Sequence, residues 1–241
     1  MRILITNDDG VNASLLIPLI RYMRRYGEVF AVVPKYEQSG KSHGIELHTH
    51  FCAREEKLTD DISVWTVDST PADCVRFAIL GMKEKFDLVI SGINKGLNIG
   101  TDMIYSGTLG AASEAVALGV KAIALSVPFE HYQLNEEALD SVFELINENG
   151  LLDINSLYNV NIPKDPKGIK ITHQGGPYYS DDFENIKGEK YIPRGKCVYV
   201  DRNDLTLDTD CTMHGYISIS PLTIDRTNFD IYNKIKAMSD K

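Results

Sequence analysis

The chain has 241 residues, of which 43% are apolar and 24% charged, so it is long enough to bury a substantial core. Its formal net charge of −9 argues against general binding to a nucleic-acid polymer or to an anionic membrane surface. No apolar run reaches the roughly 18 residues of a membrane span, and the first residues lack the apolar core of a signal peptide. Four scattered cysteines without a C-x-x-C spacing favour free thiols, so we expect no disulfide framework and a cytoplasmic location.

Strands and helices alternate along the first two thirds of the chain. In chain order, the hydrophobic pattern predicts strands at 2–6, 28–34, 44–51, 63–67, 86–92 and 121–127, and helices at 15–27, 72–82, 107–119 and 136–149. Thr70 and Pro71 have the residue types of a helix cap and first turn. Because several strands are apolar throughout, we expect an α/β fold with a Rossmann-like, doubly wound, mostly parallel sheet covered on both faces.

The composition changes after about residue 163. Prolines, tyrosines and acidic residues cluster there, followed by a strand-like stretch at 215–222 and a short polar helix at the end. This pattern predicts a core over residues 1–163 and an extension of hairpins, loops and a terminal helix over 164–241, within one domain overall.

Oxygen-rich stretches follow three of the predicted strands, at 7–10, 37–40 and 91–94. In a doubly wound sheet, ligands bind at the carboxyl ends of the strands, so these stretches should lie close together. Asp8 and Asp9 are adjacent and repel each other unless a cation lies between them or water screens them. Carboxylate, amide and hydroxyl oxygens suit a hard divalent cation such as Mg²⁺, Mn²⁺ or Ca²⁺. The sequence therefore predicts a divalent-metal site, and the alternative is a solvated turn.

A glycine-rich stretch, "SGINKGLNIGTDMIYSGTLGAASEA", begins at residue 91 and leads into a helix at Ser106-Gly107-Thr108. A helix start rich in glycine and hydroxyl groups presents free backbone N–H groups and a partial positive charge, which suits phosphate. A metal site facing such a helix start indicates a phosphate-ester hydrolase.

These residues resemble a known family. The resemblance to the SurE family of survival proteins runs in order from residue 3 to about residue 222 and is carried by "ITNDDG", "QSGKS", "STPADCV", "SGINKGLNIGTDMIYSGTLGAASEA" and "GYISISPL". It implies a three-layer αβα fold and a metal-dependent 5′/3′-nucleotidase with phosphatase activity on nucleoside monophosphates, possible activity on short polyphosphate included. It also implies a homodimer or homotetramer that exchanges C-terminal elements.

The resemblance implies the following site residues. The expected ligands of one divalent ion, Mg²⁺ or Mn²⁺ with Ca²⁺ as a substitute, are Asp8, Asp9, Ser39 and Asn94. The expected substrate-binding residues are Asn12, Gly40, Asn94, Asn98, Tyr105, Ser106, Gly107 and Thr108. The expected catalytic residues are Asp8, Asn98, Ser106 and Thr108. The chain departs from the family pattern at 68–69 and at 43–51. Neither departure touches an expected ligand, but both could alter the pocket wall and hence the substrate preference.

Other interpretations stay open at this point. A phosphorylation-receiver module also pairs acids after its first strand, and Asp68 could be its acceptor, but Lys121 begins its strand and the chain is about twice the expected length. A non-catalytic metal or nucleotide sensor could use the same residues.

Within the hydrolase interpretation, the nucleophile is either water or Asp8, and the lack of a D-x-D-x-T pattern favours water. His43 lies near enough to Ser39 to be a candidate outer contact of the metal site.

Overall fold

The structure, a computed structural model, describes residues 1–239; residues 240 and 241, which end the predicted extension, lie outside the described residues. The strands are β1 Arg2–Thr6, β2 Glu28–Pro34, β3 Ala53–Lys57, β4 Ser63–Val67, β5 Leu88–Lys95, β6 Lys121–Val127, β7 Leu157–Asn161, β8 Ile169–Ile171, β9 Tyr179–Lys187, β10 Lys190–Cys197 and β11 Ile217–Leu222. The α-helices are α1 Leu16–Met23, α2 Pro71–Arg76, α3 Gly107–Ala117, α4 Glu136–Glu148, α5 Leu151–Ile154, α6 Asp208–Met213 and α7 Phe229–Ser239. Short 3₁₀ turns occupy Gly100–Tyr105 and Phe129–His131.

Nine strands form one sheet in the order β3-β4-β2-β1-β5-β6-β7-β11-β8. Neighbouring strands from β4 to β7 are parallel, whereas β3 and β11 run antiparallel to β4 and β7. The strand order reverses at β1, because the chain moves to β2 and β4 on one side and returns to β5 on the other. Such a reversal opens a crevice at the carboxyl ends of the two central strands, here β1 and β5.

The core is divided by the sheet into two layers. Alternate residues of a strand point to opposite faces: Ile3 and Ile5 of β1 pack in a cluster with α1 and α4, whereas Leu4 packs in a second cluster with α2 and α3. Helices therefore cover both faces of the sheet, and the predicted Rossmann-like, doubly wound, three-layer α/β fold is confirmed.

The predicted strand at 44–51 is wrong. This segment has no regular structure, and the strand begins only at Ala53. The Glu46 carboxylate accepts hydrogen bonds from the backbone N–H groups of His48 at 2.8 Å and Thr49 at 2.9 Å. These local bonds satisfy donors that a strand would offer to a neighbour, so the chain turns here and does not extend the sheet edge.

Asn94 was expected after its strand but lies inside β5. The pairing of β5 with β6 is interrupted after Ser91 and resumes where Asn94 faces Ser126. The interruption lets the strand continue to Lys95 while its side-chain directions change, as at a β-bulge.

The helix predicted at 72–82 is shorter as an α-helix than expected. It begins as predicted, since Thr70 caps it by accepting the N–H of Asp73 at 3.1 Å and Pro71 occupies the first turn. The α-helix ends at Arg76, and a π-helical turn continues to residue 81.

The chain after residue 163 contributes to the main sheet and also leaves it. The strand predicted at 215–222 is found as β11, and β8 pairs with it. The hairpin of β9 and β10 forms a separate two-stranded sheet, and α7 has no buried residue. Among residues 1–239, no helix is long and apolar enough to cross a membrane.

Candidate active site

Asp8 lies at the carboxyl end of β1, against the first turn of α3. Its Oδ1 accepts the Thr108 hydroxyl at 2.8 Å, and its Oδ2 accepts the Thr108 backbone N–H at 3.2 Å. Gly107 permits this approach, because a Cβ at that position would lie 3.0 Å from both Cβ and Oδ2 of Asp8. Both Asp8 and Thr108 are buried. The first turn of α3 therefore holds the Asp8 carboxylate in a fixed orientation.

Asp9 points from the same strand end toward β5 and the turn after β6. Its Oδ2 accepts the backbone N–H of Lys95 at 3.1 Å and the hydroxyl of Tyr132 at 3.4 Å. Burial, with a further contribution from the Asp8 charge, raises the pKa of Asp9 to about 6. Sequence reasoning missed Tyr132, and the signal that could have found it is its position just after β6, at the carboxyl edge of the sheet.

The two carboxylates have no cationic side chain to balance them. Burial also raises the pKa of Asp8, and the charge of Glu37 acts in the same direction on both acids. Within residues 1–239, no lysine, arginine or histidine forms an ion pair with Asp8, Asp9 or Glu37. Like charges in a low-dielectric site are costly unless a cation accompanies them. This electrostatic arrangement fits a divalent cation.

The loop after β2 reaches the same edge. The backbone N–H of Gln38 donates to the Asp8 carbonyl at 2.7 Å, which brings the loop against β1. The next residue, Ser39, is exposed, and its hydroxyl donates to the Glu37 carboxylate at 2.8 Å. Gly40 has a positive φ of 72° and no other atom near the place of a Cβ, so this part of the loop is open.

Asn94 presents a free oxygen at this edge. Its Nδ2 donates to the carbonyl of Gly96 at 2.7 Å, and its Oδ1 has no hydrogen-bond partner in the part of the chain that the structure describes. The expected ligand set therefore combines two carboxylates, one amide oxygen and one hydroxyl, an all-oxygen set of the kind that Mg²⁺ and Mn²⁺ accept. Residues 1–239 hold no group of three or more His, Cys, Asp and Glu side chains that could bind a metal.

Ser106 caps α3, as its residue type indicates. Its Oγ accepts the N–H of Leu109 at 3.1 Å, so the hydroxyl hydrogen stays available to donate. Tyr105 is exposed beside it, and the Tyr105 carbonyl accepts the N–H of Ser42 at 3.0 Å. The start of α3 thus offers a hydroxyl donor and the backbone N–H of Gly107 next to the carboxylate pair, because the N–H groups of Thr108, Leu109 and Gly110 already donate within the protein.

Two predicted residues form no hydrogen bond with Asp8, Asp9 or the start of α3 within residues 1–239. Asn98 is buried in a network of amides. Its Nδ2 donates to the Ser126 hydroxyl at 2.9 Å, and its backbone carbonyl accepts from the side-chain amides of Asn159 and Asn161 at 2.8 and 3.0 Å. Asn12 is exposed and makes no side-chain hydrogen bond within residues 1–239. The donor of Asn98 is therefore committed to holding the loop after β5, and Asn12 faces solvent.

A hydrogen bond to a buried carboxylate ties the loop after β2 to α3. Glu114, in the third turn of α3, accepts from Nε2 of His43 at 2.7 Å and from Arg76 at 2.8 Å. The hydrogen bond to His43, followed by that to Arg76, lowers the pKa of Glu114. The structure thus places His43 in contact with a helix side chain and not with the expected metal ligands.

The fold and the site define a class of three-layer α/β proteins with a carboxylate pair at the carboxyl edge of the sheet. A family model described as "Survival protein SurE" matches residues 3–181, and the chain belongs to the SurE family, as its motifs predict. The predicted family is therefore confirmed.

Named relatives match the chain along its length. It is 37% identical to the 5′-nucleotidase SurE of Thermoanaerobacter sp. (strain X514), covering 100% of this chain and 99% of the relative. It is 36% identical to the 5′-nucleotidase SurE of Natranaerobius thermophilus, covering 98% and 97%. The crystal structure of the Sure protein from Aquifex aeolicus superposes with a TM-score of 0.78 at 29% identity, covering 99% of this chain and 100% of that one. The names of the curated relatives agree with the prediction of a phosphatase.

Proposed function

We propose that the protein is a divalent-metal-dependent 5′-nucleotidase that releases inorganic phosphate from nucleoside monophosphates. The observation that carries the proposal is the pair formed by the buried Asp8 and the half-buried Asp9, without a cationic side chain, beside the open start of α3. The names of the curated relatives support the substrate class. Activity on nucleoside 3′-monophosphates and on short polyphosphate belongs to the same proposal.

In this proposal Asp8, Asp9, Ser39 and Asn94 hold one Mg²⁺ or Mn²⁺ ion. When bound, the ion would neutralise the carboxylates and polarise a phosphoryl oxygen of the substrate. Thr108 holds Asp8, and Tyr132 holds Asp9, in the orientation that the ion requires.

The chain's own groups bind the phosphate of the substrate. The Ser106 hydroxyl and the backbone N–H of Gly107, which has no other partner within residues 1–239, donate to phosphate oxygens, helped by the partial positive charge of the helix start. Both oxygens of Asp8 already accept hydrogen bonds from Thr108. This engagement supports water, and not Asp8, as the nucleophile that attacks phosphorus.

A panel of substrates tests the proposal. Phosphate release is measured from nucleoside 5′- and 3′-monophosphates, short polyphosphate and p-nitrophenyl phosphate, with Mg²⁺, with Mn²⁺ and after treatment with EDTA. We expect release from the 5′-monophosphates that stops after chelation and returns with either ion. Binding of nucleotide without any release of phosphate would instead identify a non-catalytic sensor.

We also propose that the protein is a homo-oligomer, a dimer or a tetramer, with much of the contact supplied by residues 175–239. In support, the hairpin exposes large apolar side chains, among them Phe183, Ile186 and Tyr191, and α7 exposes Phe229 and Ile235. Light scattering over a dilution series tests this, and a mass that stays near the 26.9 kDa of one chain would contradict it. Four free thiols support a cytoplasmic location.

A further inference from the structure

A pocket opens next to the loop that follows Asn94. It has a volume of about 530 Å³, which lies in the range of small-molecule sites. One wall is the backbone of Gly96 and Leu97, in the loop between Asn94 and Asn98. The same loop therefore carries an expected metal ligand on one side and lines this pocket on the other.

The opposite walls of the pocket are aromatic and poorly covered. Phe129, in the turn after β6, is 62% exposed, and Tyr179, at the start of β9, is 56% exposed. Tyr179 is held in place because the Asp102 carboxylate accepts its backbone N–H at 2.8 Å. Two accessible ring faces in one pocket offer stacking surfaces for a planar ring.

Lys95 marks the boundary between the pocket and the carboxylates. Its backbone N–H donates to Asp9, whereas its side-chain ammonium lies 4.3 Å from the centre of the Phe129 ring. The Lys95 ammonium forms no ion pair within residues 1–239. The Lys95 ammonium thus lies against the Phe129 ring, while the Lys95 backbone contacts Asp9. In this position the ammonium can contact an anionic group whose other end stacks on the ring.

We propose that this pocket is the nucleobase subsite of the substrate, with Phe129 as its stacking surface and Lys95 directing the phosphate end toward the carboxylate pair. The inference rests on the proposed function and deepens it, because it assigns the preference for nucleotides over other phosphate monoesters to particular residues. A short polyphosphate has no ring and gains nothing from the subsite.

A second opening supplies the control. It has a volume of about 620 Å³ and lies on the other side of Asp102 and Tyr179, and it is the competing place for the nucleobase because two expected substrate-binding residues, Gly40 and Tyr105, line it together with Ile104. Ile104 is 61% exposed and places a similar apolar surface in that opening. Substitution of Ile104 tests whether the nucleobase binds there and not against Phe129.

The experiment compares the wild type with Phe129→Ala, Phe129→Tyr and Ile104→Ala, using adenosine 5′-monophosphate and ribose 5-phosphate as substrates. We expect Phe129→Ala to lower the ratio of kcat/KM for the nucleotide over the sugar phosphate by roughly 5- to 100-fold, mainly through KM, because a stacked base is lost. Phe129→Tyr keeps the ring and restores the ratio, and Ile104→Ala leaves it unchanged. Melting temperatures verify that each variant folds.

Equal losses on both substrates, or a loss with Ile104→Ala in place of Phe129→Ala, would overturn the inference. If the wild type hydrolyses neither substrate, the proposed function fails separately, and calorimetric binding of adenosine alone still decides the inference. Adenosine that binds the wild type and Phe129→Tyr more tightly than Phe129→Ala supports the subsite. Equal binding, or no binding, contradicts it.

Discussion

The candidate site has two walls, and they differ in burial. The helix wall consists of Asp8 and the first turn of α3, Ser106–Thr108, all of it buried. The loop wall consists of residues 37–44, in which Ser39 and Gly40 are exposed. On the helix wall, Asp8, Ser106 and Thr108 each form at least one hydrogen bond within the protein. On the loop wall, a Cβ added to Gly40 would contact no other atom.

The difference in burial separates two ways in which a residue can serve the site. A buried carboxylate without a cationic partner destabilises the metal-free fold. This destabilisation is removed when a cation binds, so metal binding stabilises the fold. An exposed hydroxyl costs the fold nothing and contributes only when a ligand is present. We therefore expect substitutions in the helix wall to change activity and stability, and those in the loop wall to change ligand affinity alone.

Asp8→Asn has the largest expected effect. It removes a metal-binding charge and should lower kcat/KM by more than the roughly 10- to 100-fold that follows loss of an outer contact of a metal site. In the presence of EDTA, the melting temperature should change little, because removal of a repulsive charge next to Asp9 offsets the loss of one of the two hydrogen bonds that Asp8 accepts from Thr108. Asp60→Asn removes an exposed charge and serves as the control, with no change in either measurement. An inactive Asp8→Asn with a strongly lowered melting temperature would show that Asp8 is structural.

Thr108→Val has the next largest expected effect. It keeps the shape of the side chain but removes the donor that lies 2.8 Å from Asp8. We expect kcat/KM to fall by roughly 10- to 100-fold, because an outer contact that orients a metal ligand is lost. Thr108→Ser keeps the hydroxyl and should recover most of the activity. Equal activity of the valine and serine variants would mean that the hydroxyl does not act through Asp8.

Glu114→Gln tests the connection between the two walls. It removes the charge that pairs with His43 and Arg76, and we expect a loss of roughly 1 to 3 kcal/mol in unfolding free energy at neutral pH. The lowered pKa of Glu114 means that this stabilisation is present above the ordinary pKa of a glutamate and is lost as the pH falls through the pKa of the folded state. Denaturant unfolding at several pH values measures it. If the unfolding free energies of the wild type and Glu114→Gln differ by the same amount at all pH values, the stabilisation does not come from the ionised Glu114.

Ser39→Ala should have the smallest effect. Its side chain is exposed, so the unfolding free energy should change by less than about 0.5 kcal/mol. The metal concentration needed for half-maximal activity should nevertheless rise several-fold, because one oxygen ligand is lost. A titration of activity against Mg²⁺ measures the change, with Ser42→Ala as a neighbouring control that removes a hydrogen bond to the Ile104 carbonyl in the turn before α3. An unchanged metal requirement would remove Ser39 from the ligand set.

Much of the fold could be predicted from the sequence, because the apolar pattern of β1, β2, β5 and β6 is strong and glycines and caps mark the ends of the helices. The segment at 44–51 could not, since its alternating residues are typical of a strand and only the contacts of Glu46 with the following backbone reveal a turn. The irregularity that places Asn94 inside β5 depends on pairing with β6 and is equally invisible in the sequence.

The candidate site was predictable in its residue types more than in its contacts. The strand-end positions of Asp8 and Asp9 follow from the order of the strands. The commitment of the Thr108 hydroxyl to Asp8, by contrast, depends on how close α3 approaches β1 at Gly107. The contact of Tyr132 with Asp9 joins residues 123 positions apart, so no local sequence pattern could have predicted it.

The most direct test of the account is a calorimetric titration of the metal-stripped protein with Mn²⁺, carried out on the wild type, Asp8→Asn and Asp60→Asn. We expect one binding site per chain in the wild type and in Asp60→Asn, and an affinity at least roughly 10-fold weaker in Asp8→Asn, since a charged ligand has been lost. Equal binding of Mn²⁺ by the wild type and Asp8→Asn, or no binding by the wild type, would contradict the claim that the carboxylate pair of Asp8 and Asp9 holds the metal.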